Sequence, residues 1–163
     1  MIEKIISGGQ TGADLGGLKA AKKAGVKTGG VAPKGFKTEN GSNPKLLSIY
    51  GLGAAPNEDY KYRTMANVRA SHATLIFATN SKSPGTKLTI QTCKDSGKAF
   101  LLINPFNEDA TKMVLEFIKN IFRRYERKLI INIAGNRESK SPGIENCVEN
   151  LLFKVMTDYL DAR

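Results

Sequence analysis

The sequence predicts an α/β fold, a single three-layer domain with a mainly parallel sheet of about five strands flanked by helices. Short apolar segments alternate with helical segments of about ten or more residues, an order typical of parallel strands joined by right-handed crossovers. The chain has 163 residues, 40% of them hydrophobic, which is enough for one core. No linker or internal repeat divides it, so we predict one domain over residues 1–163.

The first third of the chain opens with an apolar strand, predicted over residues 2–7. A helix is predicted over residues 15–24, ending before Gly25 because glycine readily adopts the left-handed conformation found after helices. Residues 26–32 are predicted as a second strand, interrupted by glycines. Residues 33–56 are rich in glycine, proline and asparagine and are too long for a simple connection, so we expect a functional loop there.

The middle of the chain alternates between helix and strand twice. Helices are predicted over residues 59–71 and 86–96, and strands over residues 74–78 and 99–103, where apolar and β-branched residues gather. The last of these strands ends in an asparagine–proline pair without a glycine-rich loop. We therefore expect it to lie toward one edge of the sheet.

The last part of the chain contains two helices and a strand. Residues 109–125 have a long amphipathic pattern, residues 129–134 are predicted as a strand, and residues 142–160 as a closing helix with Ser141 as its N-cap. The apolar face of helix 109–125 either packs on the sheet or forms the interface of a homo-oligomer, a dimer or a tetramer.

The composition narrows the class of partner. The net charge of +10 favours anionic partners, among which we rank nucleic acid last because aromatic residues are not interleaved with the basic ones. No apolar run is long enough for a membrane span, so no membrane partner is expected. Cys93 and Cys147 are too isolated for a disulfide framework, which predicts a cytoplasmic location. His72 is the single histidine, so we expect it to be either structural or exposed, and we expect no metal site.

Four loops that follow predicted strands are rich in glycine and polar residues. They span residues 8–14, 28–41, 79–86 and 135–143. Ligands bind beyond the carboxyl ends of the strands in open parallel sheets, so we expect these loops to form one cleft. The first loop leads into a helix start, where free backbone N–H groups favour a phosphate.

The candidate ligand-binding residues lie on these loops and on one face of helix 59–71. Ser83 or Thr86 is expected to cap a helix beside a second anion position. Arg63 is directed either into the cleft or into a surface ion pair, and Arg137 can bind a phosphate or carboxylate through two hydrogen bonds. The full set of candidates is Gly8, Gly9, Gln10, Thr11, Gly12, Asp14, Gly30, Lys34, Arg63, Asn67, Ser83, Gly85, Thr86, Arg137, Glu138 and Ser139.

Two carboxylates in the cleft loops are the candidate catalytic residues. Asp14 either bonds a ribose hydroxyl, contacts a metal, serves as a general base, or occupies a helix first turn where the dipole favours negative charge. Glu39 lies beside turn residues in the long loop. Two carboxylates facing one cleft can divide acid and base roles.

Five segments carry a resemblance to a known family, and together they cover nearly the whole chain. They are Ser7-Gly8-Gly9-Gln10-Thr11-Gly12-Ala13-Asp14, Gly29-Gly30 with Pro33-Lys34-Gly35 and Glu39-Asn40-Gly41, Tyr60-x-x-Arg63-Thr64-x-x-Asn67, Gly85-Thr86-x-Leu88-Thr89, and Arg137-Glu138-Ser139-x-x-Pro142-Gly143-Ile144. The sequence resembles the family known as putative molybdenum carriers, a YpsA-related branch of the SLOG superfamily. That superfamily has a Rossmann-like fold and includes the Lonely-Guy phosphoribohydrolases.

The resemblance implies a protein that binds a phosphorylated heterocycle, with either a nucleotide derivative or the molybdenum cofactor, molybdopterin, as the ligand. The Lonely-Guy enzymes have a glutamate in the third loop where this chain has Thr89. The alternative expectation is a hydrolase, either an N-glycosidase or a phosphohydrolase. Because that glutamate is absent, such an activity would depend on Glu39, Asp14 or Glu138.

Overall fold

The computed structural model describes the backbone of residues 1–160 and the side chains of residues 1–158, so the last three residues of the predicted domain lie outside it. The strands are β1 (Ile2–Ser7), β2 (Lys27–Gly29), β3 (Val31–Ala32), β4 (Lys37–Thr38), β5 (Gly41–Ser42), β6 (Gly53–Ala54), β7 (Ala73–Phe77), β8 (Ala99–Ile103) and β9 (Leu129–Gly135). The helices are α1 (Ala13–Lys23), α2 (Lys45–Ser48), α3 (Tyr60–Arg69), α4 (Pro84–Asp95), α5 (Ala110–Tyr125) and α6 (Ile144–Lys154), with a 3-10 turn at Lys34–Phe36 and a π-helical segment at Val155–Leu160.

The central sheet confirms the predicted fold class. Its five strands are parallel and lie in the order β2-β1-β9-β7-β8. The last strand in the chain, β9, therefore lies between β1 and β7, and its Ile131 is in register with Ile5 of β1 and Ala73 of β7. The prediction that residues 99–103 form a strand at one edge is confirmed as well.

Helices cover both faces of the sheet. Alternate residues of β1, β7 and β9, such as Ile5, Leu75 and Ile131, form the main core with α1, α5 and α6. Helices α3 and α4 pack against each other on the other side. The apolar face of α5 lies in this main core, which decides between the two placements that the sequence left open. None of the helices in residues 1–160 is long and apolar enough to cross a membrane.

The strand predicted over residues 26–32, interrupted by glycines, is divided between two sheets: β2 belongs to the central sheet and β3 does not. The chain leaves the central sheet at Gly30, which has a φ of 122°. A Cβ atom at this position would overlap the carbonyl oxygen of Ser7, so only glycine allows the bend. The following strand, β3, pairs instead with β6.

The long loop over residues 33–56 is built around short elements of its own. It contains the 3-10 turn, the β4–β5 hairpin, α2 and β6. Its Leu46 and Leu52 are fully buried and form a second small core with Leu18 of α1 and Ala32. This core fixes the long loop against the first helix.

The serines expected to cap two helix starts do not cap them with their hydroxyls. The closing helix begins at Ile144, with Gly143 rather than Ser141 as its N-cap. Ser141 instead accepts a hydrogen bond from Thr79 Oγ1 at 2.8 Å. Ser83 is the N-cap residue of α4, but its hydroxyl donates to Thr86 Oγ1 rather than capping the backbone.

Candidate functional site

A cleft lies at the carboxyl ends of β1, β9 and β7, where the order of strands along the chain reverses. Its walls come from the first, third and fourth loops and from α3 and α4. It consists of two adjoining cavities with volumes of about 270 Å³ and 550 Å³. The same residues line the boundary between them: Asp14, Arg63, Pro84, Gly85, Gly135 and Arg137.

The two cavities differ in character. The smaller cavity adds apolar and uncharged side chains to that boundary, including Tyr60, Leu88, Thr89, Asn132, Ile133 and Ala134. The larger cavity adds polar and basic residues, namely Gln10, Asn80, Lys82, Ser83, Asn136 and Lys140. One half of the cleft therefore suits a flat ring and the other half suits an anion.

An ion pair lies on the boundary. Arg63 Nη1 donates to Asp14 Oδ2 at 3.1 Å, and both side chains are largely buried. Burial raises the pKa of the Asp14 carboxyl, while the charge of Arg63 and the N–H of Gln10 lower it without cancelling that effect. Of the two directions that the sequence left open for Arg63, the structure shows the one into the cleft.

The Asp14 carboxylate occupies the anion position of the first loop. The backbone N–H of Gln10 donates to Asp14 Oδ2 at 3.2 Å. The N–H of Ala13, at the start of α1, donates to the carbonyl of Asn136 at 3.1 Å. These donors are engaged within the protein, so the placement of a ligand phosphate at this loop stays a prediction.

Glu39 joins the long loop to the first and fourth loops. Its carboxylate accepts hydrogen bonds from the hydroxyl of Thr11 and from both the backbone N–H and the hydroxyl of Ser139. Its backbone N–H donates to Gln10 Oε1 at 2.9 Å. Partial burial acts to raise the pKa of Glu39, but the hydrogen bonds from Ser139 and Thr11 outweigh it and the pKa is lowered.

Asn136 is a connecting residue that the sequence reasoning missed. Its Oδ1 accepts the backbone N–H groups of Thr79 and Asn80 at 2.9 and 3.0 Å, and its Nδ2 donates to Ser83 Oγ at 3.3 Å. Its own backbone N–H donates to the carbonyl of Phe77. Its position immediately after the central strand was the available signal.

The remaining walls of the smaller cavity were also missed. Tyr60 and Leu88 belong to helical motifs that do not by themselves indicate a ligand. Asn132 lies in a predicted strand in which it is the single polar side chain. Asn132 is buried, and its Nδ2 donates to Thr74 Oγ1 at 3.3 Å. The spacing within a strand could not indicate that this face turns toward a cavity.

The structure brings half of the candidate binding residues into the cleft. Those that line it are Gly8, Gln10, Asp14, Arg63, Asn67, Ser83, Gly85 and Arg137. The others do not line either cavity, and they are Gly9, Thr11, Gly12, Gly30, Lys34, Thr86, Glu138 and Ser139. Glu39 belongs to the second group, while Asp14 belongs to the first.

Comparison with known proteins identifies the family. The family model described as the circularly permutated YpsA SLOG family matches residues 5–156. The chain belongs to this family. The resemblance to a YpsA-related branch of the SLOG superfamily is thereby confirmed.

A solved structure supports the same assignment for this YpsA SLOG family member. The crystal structure of a protein named "Putative molybdenum carrier protein", from Syntrophus aciditrophicus SB, matches the chain with a TM-score of 0.83 and 35% sequence identity. The match covers 96% of this chain and 95% of that chain. No curated protein matches the sequence.

Proposed function

We propose that this protein binds a phosphate-bearing heterocyclic small molecule, with the ring in the smaller cavity and the phosphate in the larger one. The observation that carries the proposal is the contrast between the two adjoining cavities, one partly apolar and the other rimmed by basic groups. The ligand is either a nucleotide derivative or a molybdopterin-type cofactor, and binding occurs in the cytoplasm. The name of the similar crystal structure, a molybdenum carrier, is compatible with a carried cofactor.

The start of α4 supplies the phosphate position. The first N–H groups of an α-helix have no partners within the helix, and the Ser83 hydroxyl does not cap them. Arg137, Lys82 and Lys140 line the same cavity and add positive charge. A helix N-terminus with nearby cations favours a phosphate over a neutral group.

The smaller cavity supplies the ring position. Tyr60, Leu88 and Ile133 offer apolar surface, and Asn132 offers an amide among them. Tyr60 also lies under the guanidinium of Arg63, 4.9 Å from the ring centroid. Flat heterocycles bind between such aromatic and aliphatic groups.

A substitution at Gly85 tests the proposal. Gly85 is the second residue of α4, lines both cavities, and has no atom within 4 Å of where a Cβ would lie. An aspartate there is favoured by the helix dipole by about 0.3–1 kcal/mol, so the fold is retained while an anion in the cleft is repelled. Thermal-shift titrations with nucleotides, ADP-ribose and pterin phosphates are expected to stabilise the wild type and not Gly85→Asp.

Two controls separate charge from size. Gly85→Asn has nearly the same shape without the charge and is expected to retain most of the binding. Gly53→Asp places the same charge on β6, where a Cβ also meets no neighbour. The proposal fails if none of the compounds stabilises the wild type, or if Gly85→Asp binds as well as Gly85→Asn.

One observation favours a hydrolase as the second candidate. Asp14 lies on the boundary of the two cavities, and burial raises its pKa, which makes the carboxylate a stronger general base. The Glu39 carboxylate is held by Thr11 and Ser139, so Asp14 is the better candidate of the two. Incubation with nucleoside monophosphates should release free base or phosphate in the wild type and not in Asp14→Asn. Unchanged turnover in Asp14→Asn would exclude this role.

A further inference from the structure

Two buried hydrogen-bond donors in the cleft wall have no acceptor. Within the described residues, Gln10 Nε2 and Arg63 Nε are both buried and without a hydrogen-bond partner. Gln10 is only 6% exposed, and both residues line the larger cavity. A buried donor without a partner has lost its hydrogen bonds to water without replacing them, so two in residues that line one cavity indicate that a ligand supplies the missing acceptors.

The orientation of the Gln10 amide follows from its other contacts. Gln10 Oε1 accepts the backbone N–H groups of Thr11 at 3.0 Å and Glu39 at 2.9 Å. Rotating the amide by 180° would place its NH₂ group against these two donors. The free group of Gln10 is therefore the donor and not the carbonyl oxygen.

An acceptor lies beside the two free donors. The hydrogen bonds that Asp14 accepts from Gln10 N and Arg63 Nη1 both end on Oδ2, which leaves lone pairs on Oδ1. The charges of Asp14 and Arg63 offset each other, so this part of the wall is close to neutral. A cluster with donors and an acceptor side by side matches a group that both donates and accepts, as a hydroxyl does.

The position of Gln10, Asp14 and Arg63 determines which part of the ligand these residues contact. Asp14 and Arg63 lie on the boundary between the two cavities, so they face the segment that joins ring and phosphate. We infer that Gln10, Asp14 and Arg63 bind the hydroxyl groups of a sugar in this segment, so that the ligand is a nucleotide derivative with a vicinal diol. This inference rests on the proposed function and chooses between its two ligand classes.

Paired compounds test the inference. AMP and GMP are each compared with their 2′,3′-dideoxy counterparts by calorimetric titration of the wild type. Two lost hydrogen bonds to charged or buried groups are expected to weaken binding of the dideoxy compound by about ten-fold or more. A pterin phosphate without a sugar serves as the third compound.

Two substitutions test which residues are responsible. Gln10→Glu retains an acceptor for Thr11 and Glu39 but replaces the free donor with an oxygen. Gly8→Ala places a methyl group where it overlaps Nη1 of Arg63, so it displaces the guanidinium without altering it. Gly53→Ala, whose Cβ meets no neighbour, is the control. In both test variants the preference for the diol is expected to fall to about two-fold or less, while the control retains it.

The outcomes distinguish this inference from the proposed function. A dideoxy compound that binds as tightly as its parent overturns the diol site but leaves phosphate and ring binding intact. Tight binding of the pterin phosphate with none of either nucleotide also overturns it. If no compound binds, the proposed function fails and the diol site fails with it. A diol preference that survives in both test variants would assign the sugar to other residues.

Discussion

Among single residues, the glycines of the first loop allow neighbouring groups to pack where a side chain would otherwise lie. Gly8 lies beneath the Arg63 guanidinium, Gly9 against Leu46 of the second core, and Gly12 against the backbone of Asn136. A side chain at any of these positions would displace a neighbouring group. Their composition alone suggested a phosphate cradle, but two of the three glycines hold other loops in place.

We predict that Gly9→Ala destabilises the protein more than Gly35→Ala. Both glycines have a positive φ, 76° and 71°, which costs an alanine about 1–2 kcal/mol. A Cβ at position 35 has no neighbour within 4 Å, whereas one at position 9 lies 2.6 Å from Leu46 Cδ1. Overpacking should therefore add about 1–3 kcal/mol to the loss in Gly9→Ala, measured by urea unfolding. Equal losses in the two variants would contradict this packing role.

At the scale of elements, the start of α6 shows how a side chain in the preceding loop replaces the serine cap that the sequence predicts. Glu138 Oε2 accepts the N–H of Gly143 at 2.6 Å, and Oε1 accepts the N–H of Glu145 at 3.0 Å. The serine–proline pair before the helix predicted a local cap at Ser141. The fourth loop curls back over the helix start, so the glutamate satisfies the free N–H groups instead.

We predict that Glu138→Ala lowers the free energy of unfolding by about 1–2 kcal/mol, the usual cost of losing a helix cap. Glu138→Gln retains one carbonyl acceptor and should lose less. Glu116→Ala makes the same chemical change at an exposed position of α5 and is the control. Urea unfolding measures all three variants, and a loss in Glu138→Ala no larger than in Glu116→Ala would refute the cap.

For the whole molecule, the hydrogen bonds of Glu39 with Thr11 and Ser139, here called the Glu39 clasp, connect parts of the chain that are far apart in sequence. The Glu39 carboxylate links the long loop to Thr11 of the first loop and to Ser139 of the fourth. Thr11 Oγ1 also accepts the N–H of Glu138 at 3.2 Å. The clasp therefore sets the shape of the cleft without lining it.

We predict that the clasp weakens in acid. Because hydrogen bonds lower the pKa of Glu39 in the folded protein, the unfolded chain binds more protons near the ordinary carboxyl range. The stabilisation is therefore complete above that range and is lost as the pH falls through it. Glu39→Gln should lower the free energy of unfolding by about 1.5–3 kcal/mol at neutral pH, and the difference from wild type should shrink in acid.

The control for the clasp is Glu58→Gln. Glu58 forms an exposed ion pair with Lys37 at 3.5 Å and is expected to contribute little. Urea unfolding over a pH series measures both variants, and amide hydrogen exchange of residues 33–56 at neutral pH shows whether the long loop is released. A Glu39→Gln difference that stays constant with pH would exclude the carboxylate as its source.

The sequence by itself determined the architecture and the side of the sheet that carries the site. Apolar periodicity and glycine breaks are local, so β1, β8 and the alternation of strands and helices could be predicted from short windows. The loops that follow β1, β7 and β9 were identified for the same reason, together with Asp14, Arg63, Gly85 and Arg137, which line the cleft.

Only the tertiary structure decided which of these residues face a ligand and which hold the loops together. Glu39 and Ser139 are 100 positions apart, and Thr11 and Glu138 are 127 apart, so no local pattern records their contacts. The insertion of β9 between β1 and β7 creates these pairings and brings Asn136 to the centre. A side chain's role here depends on the partners that folding brings to it, and those partners come from the order of strands across the sheet.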